Sequence, residues 1–395
     1  MKSNYKPIGN YIQKVENRNR DLNVTRLLGL SMTKEFRETT SNVVGTDMSV
    51  YKVMSKYQFA CDFMSPIRVS KLPVVLKLDD EPNLVSPAYP VFEVIDRNEL
   101  DPEYLMMWFR RPEFDRYATF KCDAAIRGGY EWTELCETLI PVPKIDKQRE
   151  IVKEYNTIQN RIALNQQLIQ KLEETAQAIY REWFVEGIDL EDLPVGWEIS
   201  SIGKYAQVKS GFAFKSEWWQ PEGIPVIKIG SISNNTIDKD SLDYVSIDKV
   251  DKAKNYVVRE GDIVIAMTGA TIGKVGLVPQ LGQTILVNQR VGMFDLGSEP
   301  MERTPFLYFN LLTDFVQNEI KNVGGDSAQA NISNGQIQEI EMLYPTNDLI
   351  QKFNKIGKPI IETILQKIKE NQKLTELKAL LLSRLASVEN QIKYE

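Results

Sequence analysis

The stretch with the most evident chemical promise is "TGATIGKVG" (268–276). Gly269, Gly273 and Lys274 approach the pattern of a nucleotide-binding P-loop. That loop needs four residues between its glycines and a Ser or Thr after the lysine to hold Mg²⁺. Here three residues separate the glycines and Val275 follows Lys274. The strand-like "GDIVIAM" before it and "VGLV" after it make the segment a glycine-bearing turn between two strands. Lys274, beside two glycines that let a backbone come close, remains a candidate donor to a phosphate.

Other catalytic chemistry is thinly represented. Histidine is absent from the 395 residues, which removes the commonest general base, the Ser-His and Cys-His nucleophile pairs, and histidine-bound zinc. Cys61, Cys122 and Cys136 are odd in number, scattered and without CxxC spacing, as in a reduced cytosolic protein with no metal framework. "SPAY" (86–89) is the nearest approach to an adenine-methyltransferase tetrad. Ala88 replaces its second proline and no Gly-rich AdoMet loop precedes it, so it reads as a strand-edge turn. "EIK" (319–321) has half of a nuclease site on a surface helix, without an upstream acidic partner. Carboxylate or lysine chemistry stays open, so these gaps lower the expectation of catalysis without excluding it.

Binding chemistry is better represented. "VKSGFAFKSEWW" (208–219) interleaves Lys209 and Lys215 with Phe212, Phe214, Trp218 and Trp219. Lysines among aromatics suit phosphate contact and base stacking, although the aromatics serve equally well as core. "ENRNRDLNVTRLL" (16–28) offers Arg18, Arg20 and Arg26 among asparagines, residue types that pair with guanine and adenine edges. Arg68 and Lys71 in "SPIRVSKLP" complete the candidates. A net charge of −6 argues against a general nucleic-acid coat and leaves room for basic groups gathered on one face.

The elements that must position these groups are written twice. "LVSPAYPVFEV" (84–94) recurs as "LVNQRVGMFDL" (286–296), "YLMMWFRRPEF" (104–114) as "FLYFNLLTDFV" (306–316), and "IPVPKIDKQREIV" (140–152) as "LYPTNDLIQKF" (343–353). Their order and common offset mark a tandem duplication. Each copy is a mixed, strand-rich module followed by a proline-marked turn and a long helix. The modules span 1–145 and 186–345, the second opening on the acidic linker "EGIDLEDLPVGW"; the helices span 146–185 and 346–395. The loops at 126–135 and 323–337 shape the junctions between modules and helices.

Ile151, Tyr155, Ile158, Ile162, Asn165, Ile169, Leu172, Ala176, Ile179 and Trp183 alternate in steps of four and three, a heptad seam with one polar member. From Ile151 to Phe184 such a helix is about 50 Å long at 1.5 Å per residue. The second seam is Ile361, Ile364, Ile368, Asn371, Leu374, Leu377, Leu381, Leu385, Val388 and Ile392, less regular around Asn371. Residues 146–192 carry 6 basic and 10 acidic groups, and 346–395 carry 9 basic and 6 acidic. Opposite charge favours an antiparallel coiled coil of the two helices, in which Asn165 and Asn371 meet mid-seam and fix its register. The expected fold is therefore α+β: two strand-rich modules joined by two long paired helices, with a pseudo-two-fold repeat. Two unlike modules on a stiff spacer suggest a reader of two unlike half-sites on duplex DNA.

"LPVGWEISSIGKYAQVKSGFAFKS", "GIPVIKIGSIS", "EGDIVIAMTGATIGKVG", "LVNQRVGMF" and "IPVPKIDKQREIV" together resemble the recurring motifs of specificity (S) subunits of type I restriction-modification systems. The resemblance covers essentially the whole chain, most strongly from Leu193 onward and in the central helix. It implies two target recognition domains, each reading half of a split sequence in double-stranded DNA. It also implies helical regions that bind two methyltransferase subunits, with ATP-driven restriction subunits joining the assembly. The S subunit itself has no active site and no cofactor. The isolated chain is then expected to bind DNA poorly without its partners. An alternative in the same class is the specificity component of a related, non-type-I restriction-modification system; one from another class is a coiled-coil adaptor whose modules bind proteins. The N-terminus lacks an apolar signal core and no run approaches a membrane span, as expected of a soluble cytoplasmic protein.

Overall fold

The structure is a computed structural model describing residues 5–39, 45–123, 129–324 and 330–386. It divides into two compact units, one made of 1–161 with 374–395 and the other of 162–373. Each unit therefore contains a strand-rich module and a stretch of both long helices.

In the first unit, α1 (Ser65–Val69), α2 (Pro102–Phe109), α3 (Pro112–Asp123) and α4 (Trp132–Glu137) precede α5 (Ile145–Phe184), which continues into the second unit. The second holds α6 (Ile202–Tyr205), α7 (Thr304–Leu311), α8 (Asp314–Gly324), α9 (Asn334–Glu339) and most of α10 (Asn347–Arg384). The starts of α2, α3, α4 and α5, at 102, 112, 132 and 145, recur in α7, α8, α9 and α10 at 304, 314, 334 and 347.

The units also share a crossing that the sequence comparison does not reveal. Tyr5–Pro7 pairs antiparallel with Leu139–Pro141, and Glu198–Ser201 pairs with Glu341–Tyr344. Directly after the first strand of each pair, Ile8 N–H donates to Thr138 O and Ile202 N–H to Ile340 O. The next residue is glycine in both. A Cβ on Gly9 would lie 2.7 Å from Cys136 Cβ, and one on Gly203 would lie 2.9 Å from Gln338 Cβ. No larger residue fits these approaches without displacing α4 or α9.

The sheets differ. The first unit has an antiparallel four-stranded sheet in the order Ile12–Lys14, Val91–Val94, Gln58–Cys61, Val74–Leu76. Its core stacks Phe59 on Phe92 at 4.9 Å, with Phe109 edge-on to both. The second unit has a six-stranded and a five-stranded sheet. Its largest core joins Ile263, Ile265 and Leu277 to Tyr180 and Phe184 of α5, Phe306 of α7 and Phe353 of α10.

The long helices pack antiparallel, as their alternating apolar spacing predicts. Early α5 meets late α10 in the first unit, where Val152 and Tyr155 share a core with Leu382 and Leu385. Late α5 meets early α10 in the second, where Ala176, Tyr180 and Phe184 pack with Ile361, Ile364 and Leu365. Every seam position named for α5 is buried or half-buried. In α10 the seam departs from expectation at one place. Leu377 is 45% exposed, and Lys378 takes the inward position, donating to Gln159 Oε1 at 3.0 Å. Val388 and Ile392 lie outside the described residues, as do 126–128 and 325–329 of the two junction loops. Among the described residues, no helix is long and apolar enough to cross a membrane.

Candidate nucleic-acid interface

The turn at 268–276 joins two paired strands, Ile263–Ala266 and Val275–Leu277. Gly269 and Gly273 take left-handed backbone angles, φ +70° and +82°, which few other residues adopt cheaply. The amides that a phosphate loop would offer are largely engaged. Gly269 N–H donates to Ala330 O, Ile272 N–H to Gly269 O, Gly273 N–H to Ala266 O and Lys274 N–H to Thr271 O. The turn thus offers the exposed side chain of Lys274 rather than a backbone cradle.

Gly211 opens the aromatic segment, and a Cβ there would lie 2.3 Å from Val287 O. That close approach lets Phe212 N–H donate to Val287 O at 2.7 Å and draws the following residues across the five-stranded sheet. The aromatics then pack on one another. Phe214 is buried, Phe212 lies nearly parallel to Trp218 at 5.9 Å, and Phe214 meets Trp219 at 5.4 Å. Base stacking on these rings is restricted, because their faces are already occupied by neighbours.

Lysines gather around this cluster. Lys215, Lys249 and Lys252 lie 6.0, 5.4 and 5.2 Å from the Trp218 ring centroid, and Lys228 is 3.5 Å from that of Trp219. An ammonium over an indole face is held by the ring's negative charge density. Of the four, Lys228 pairs with Asp243 at 3.0 Å and Lys249 with Asp248, whose carboxyl is held below its usual range by bonds from Lys249 and Ser246. Lys215 and Lys252 are exposed and make no ion pair among the described residues. Lys249 and Lys252 lie in the 3₁₀ segment Ile247–Tyr256, "IDKVDKAKNY". Their three-residue spacing was visible in the sequence, but only the fold brings them to Trp218.

The remaining candidates divide by whether they are already paired. Lys209 lies 2.8 Å from Asp295, and this bond keeps the Asp295 carboxyl below its usual range. Arg18 donates to Val50 O at 2.8 Å and approaches Glu16 at 3.6 Å. Arg26 lies 3.3 Å from Glu81 and 4.0 Å from Glu38. Arg20, Arg68, Lys71 and Lys274 are exposed and make no ion pair among the described residues. Surface pairs of the first kind are weak, so they hold a side chain in place without removing it from reach of a polyanion. "SPAY" forms a turn in which Ala88 N–H donates to Ser86 Oγ at 3.3 Å and Tyr89 N–H to Ser86 O at 3.1 Å.

Comparison with known proteins gives a consistent picture. Residues 194–379 match the family described as Type I restriction modification DNA specificity domain. The chain is 22% identical over 266 residues to the type I restriction enzyme MjaVIII specificity subunit of Methanocaldococcus jannaschii, a match covering 64% of this chain and 62% of the relative, less than two thirds of its length. It is 23% identical over 381 residues to the HindI specificity subunit of Haemophilus influenzae, covering 78% of this chain and 81% of the relative. The crystal structure of an S subunit from M. genitalium superposes with a TM-score of 0.57 at 16% identity, covering 97% of this chain and 95% of that one. At that identity the likeness concerns the fold.

Proposed function

We propose that this chain, whose residues 194–379 match the type I restriction modification DNA specificity domain, is the DNA-reading subunit of a type I restriction-modification complex. In this reading each compact unit recognises one half of a split, asymmetric duplex sequence, and the subunit carries out no reaction itself. The observation that carries the reading is the repeated framework with divergent sheets. The strand-pair–glycine crossing and four helices recur in both units, whereas the strand-rich parts that bear the candidate cations differ. A common mount with unlike faces is what two different half-sites require.

Lys215 and Lys252 beside Trp218, Lys274 on its turn, and Arg18, Arg20 and Arg26 are assigned to phosphate or base-edge contact. The paired helices α5 and α10 are assigned to spacing the half-sites and to docking two methyltransferase subunits, with restriction subunits joining them. An apolar cavity of about 470 Å³ in the second unit, lined by Tyr180, Phe184, Leu190, Ile199 and Phe315 among others, supports a protein-docking role on this side of α5.

Sequencing the methylated adenines of a host carrying the chain tests the reading. A motif of two short blocks around a fixed gap is expected, and exchange of residues 1–145 for those of a relative should alter one block only. A continuous motif, or two blocks both indifferent to the exchange, would refute it.

A further inference from the structure

In the first unit, α1 lies between the paired strands Gln58–Cys61 and Val74–Leu76, where the second unit has the turn at 268–276, and it is held from both sides. Ser65 and Pro66 are buried at its start and Leu72 is buried just past its end. Asp62 caps the entry, accepting from Met64 N–H at 3.0 Å and Ser65 Oγ at 2.8 Å. Ser70 closes the exit in a left-handed conformation, φ +54°, with its N–H donating to Pro66 O at 2.9 Å.

What this anchored turn presents is unusual for water. Met64, Ile67 and Val69 are 50%, 47% and 47% exposed, interleaved with Arg68 and Lys71. Single exposed aliphatics need no explanation, but three within six residues on a fixed turn form a patch. The two cations are not neutralised locally. Asp62 is committed to the cap, and Asp115 accepts from buried Lys34 at 2.8 Å and from Leu72 N–H at 3.0 Å. Arg68 and Lys71 make no ion pair or side-chain hydrogen bond among the described residues, in a chain whose net charge is −6. An apolar ridge flanked by uncompensated cations complements a groove with phosphates on its rims and deoxyribose carbons and base edges between them.

Resting on the DNA-reading function above, we propose that α1 is a groove-entering element of the first unit. Arg68 and Lys71 bind phosphates on the groove's rims, and Ile67 and Val69 press against sugars and base edges between them. Such a wedge reads the deformability of the step it touches as well as its groups.

The test uses the full chain in the complex in which it purifies from its host. A random duplex library identifies the preferred sequence, and its affinity is then followed over a salt series. Arg68→Gln/Lys71→Gln should lower the slope of log K against log salt by about 2, close to 0.9 per phosphate contact. Ile67→Ser/Val69→Ser should keep the slope, weaken the preferred duplex about tenfold and narrow its advantage over stiffer sequences. Both variants alter exposed side chains, and an unchanged melting temperature verifies their fold. If the unmodified complex selects a split sequence and both variants match it in slope and affinity, α1 is excluded while the DNA-reading function stands. If the unmodified complex selects nothing, both fall. Variants that bind DNA normally but shed a co-purifying protein would assign the patch to that protein and overturn the proposal.

Discussion

Asn165 Nδ2 donates to Asn371 Oδ1 at 2.9 Å, one amide from each long helix meeting at the middle of the apolar seam. Asn165 is only 3% exposed, and Asn371 also approaches Ile162 O at 3.4 Å. A polar pair at this depth gains little net free energy but penalises every alignment that separates its members.

Replacing Asn165 alone with Leu should cost about 1–3 kcal/mol, since Asn371 loses its partner. Asn165→Leu/Asn371→Leu should recover that loss and exceed the parent in urea midpoint, while broadening the helix register. Engineered cysteine pairs across the seam would read the register as the number of alternative cross-links. A double variant less stable than either single would contradict the assignment.

The glycine crossings should resist enlargement. Gly203→Ala places a methyl against Gln338 Cβ and backbone, and Gly9→Ala places one against Cys136. A loss of about 1–3 kcal/mol is expected for each, typical of overpacking, measured by chemical unfolding. Gly230→Ala, at a position with open space, is the control and should be nearly neutral.

Glu173 of α5 accepts from Tyr308 Oη at 2.6 Å and from Asn235 Nδ2 at 3.4 Å. Burial raises its pKa above the usual carboxylate range, and those two hydrogen bonds offset the rise only in part. A raised folded-state pKa means that its contribution is complete below the unfolded pKa and is lost as pH climbs through the folded one. Glu173→Gln should therefore gain on the parent between acid and neutral pH and show a flatter stability profile. Parallel profiles for the two proteins would argue that Glu173 is solvated.

Lys274→Gln should weaken binding about equally for all duplex sequences and reduce the salt slope by about 1, as for loss of one phosphate contact. Arg20→Gln should instead relax the preference at a single base position, visible in the methylated motif. Neither effect at Arg20 would remove it from the interface.

Much of this architecture was legible in the sequence, and the places where it was not have physical causes. The seam of α5 could be read because each of its ten heptad positions from Ile151 to Trp183 is apolar except Asn165. In α10 the steps after Leu374 allow either Leu377 or Lys378 inward, and hydrophobicity alone selects the wrong one. Lys378 faces in with its ammonium donating a hydrogen bond to Gln159; its pKa is lowered by burial and secondarily by Arg110. Lys249 and Lys252 are not legible as site residues for a related reason. Their approach to Trp218 depends on a sheet crossing that no local pattern encodes. The equivalence of "PIGN" and "SIGK" was hidden because only the isoleucine and glycine are shared, one for burial and one for clearance.

The core around Val152 and Tyr155 is completed by Leu382 and Leu385 from far along the chain, whereas the unit spanning 162–373 is contiguous. On the ribosome these two bodies close in reverse order. The one synthesised later can fold as soon as it emerges, while the one begun first waits, its apolar side chains uncovered, for the returning strand of α10. A stop codon or frameshift between residues 374 and 381 would therefore strand the earlier half as a chaperone client and leave the later half intact.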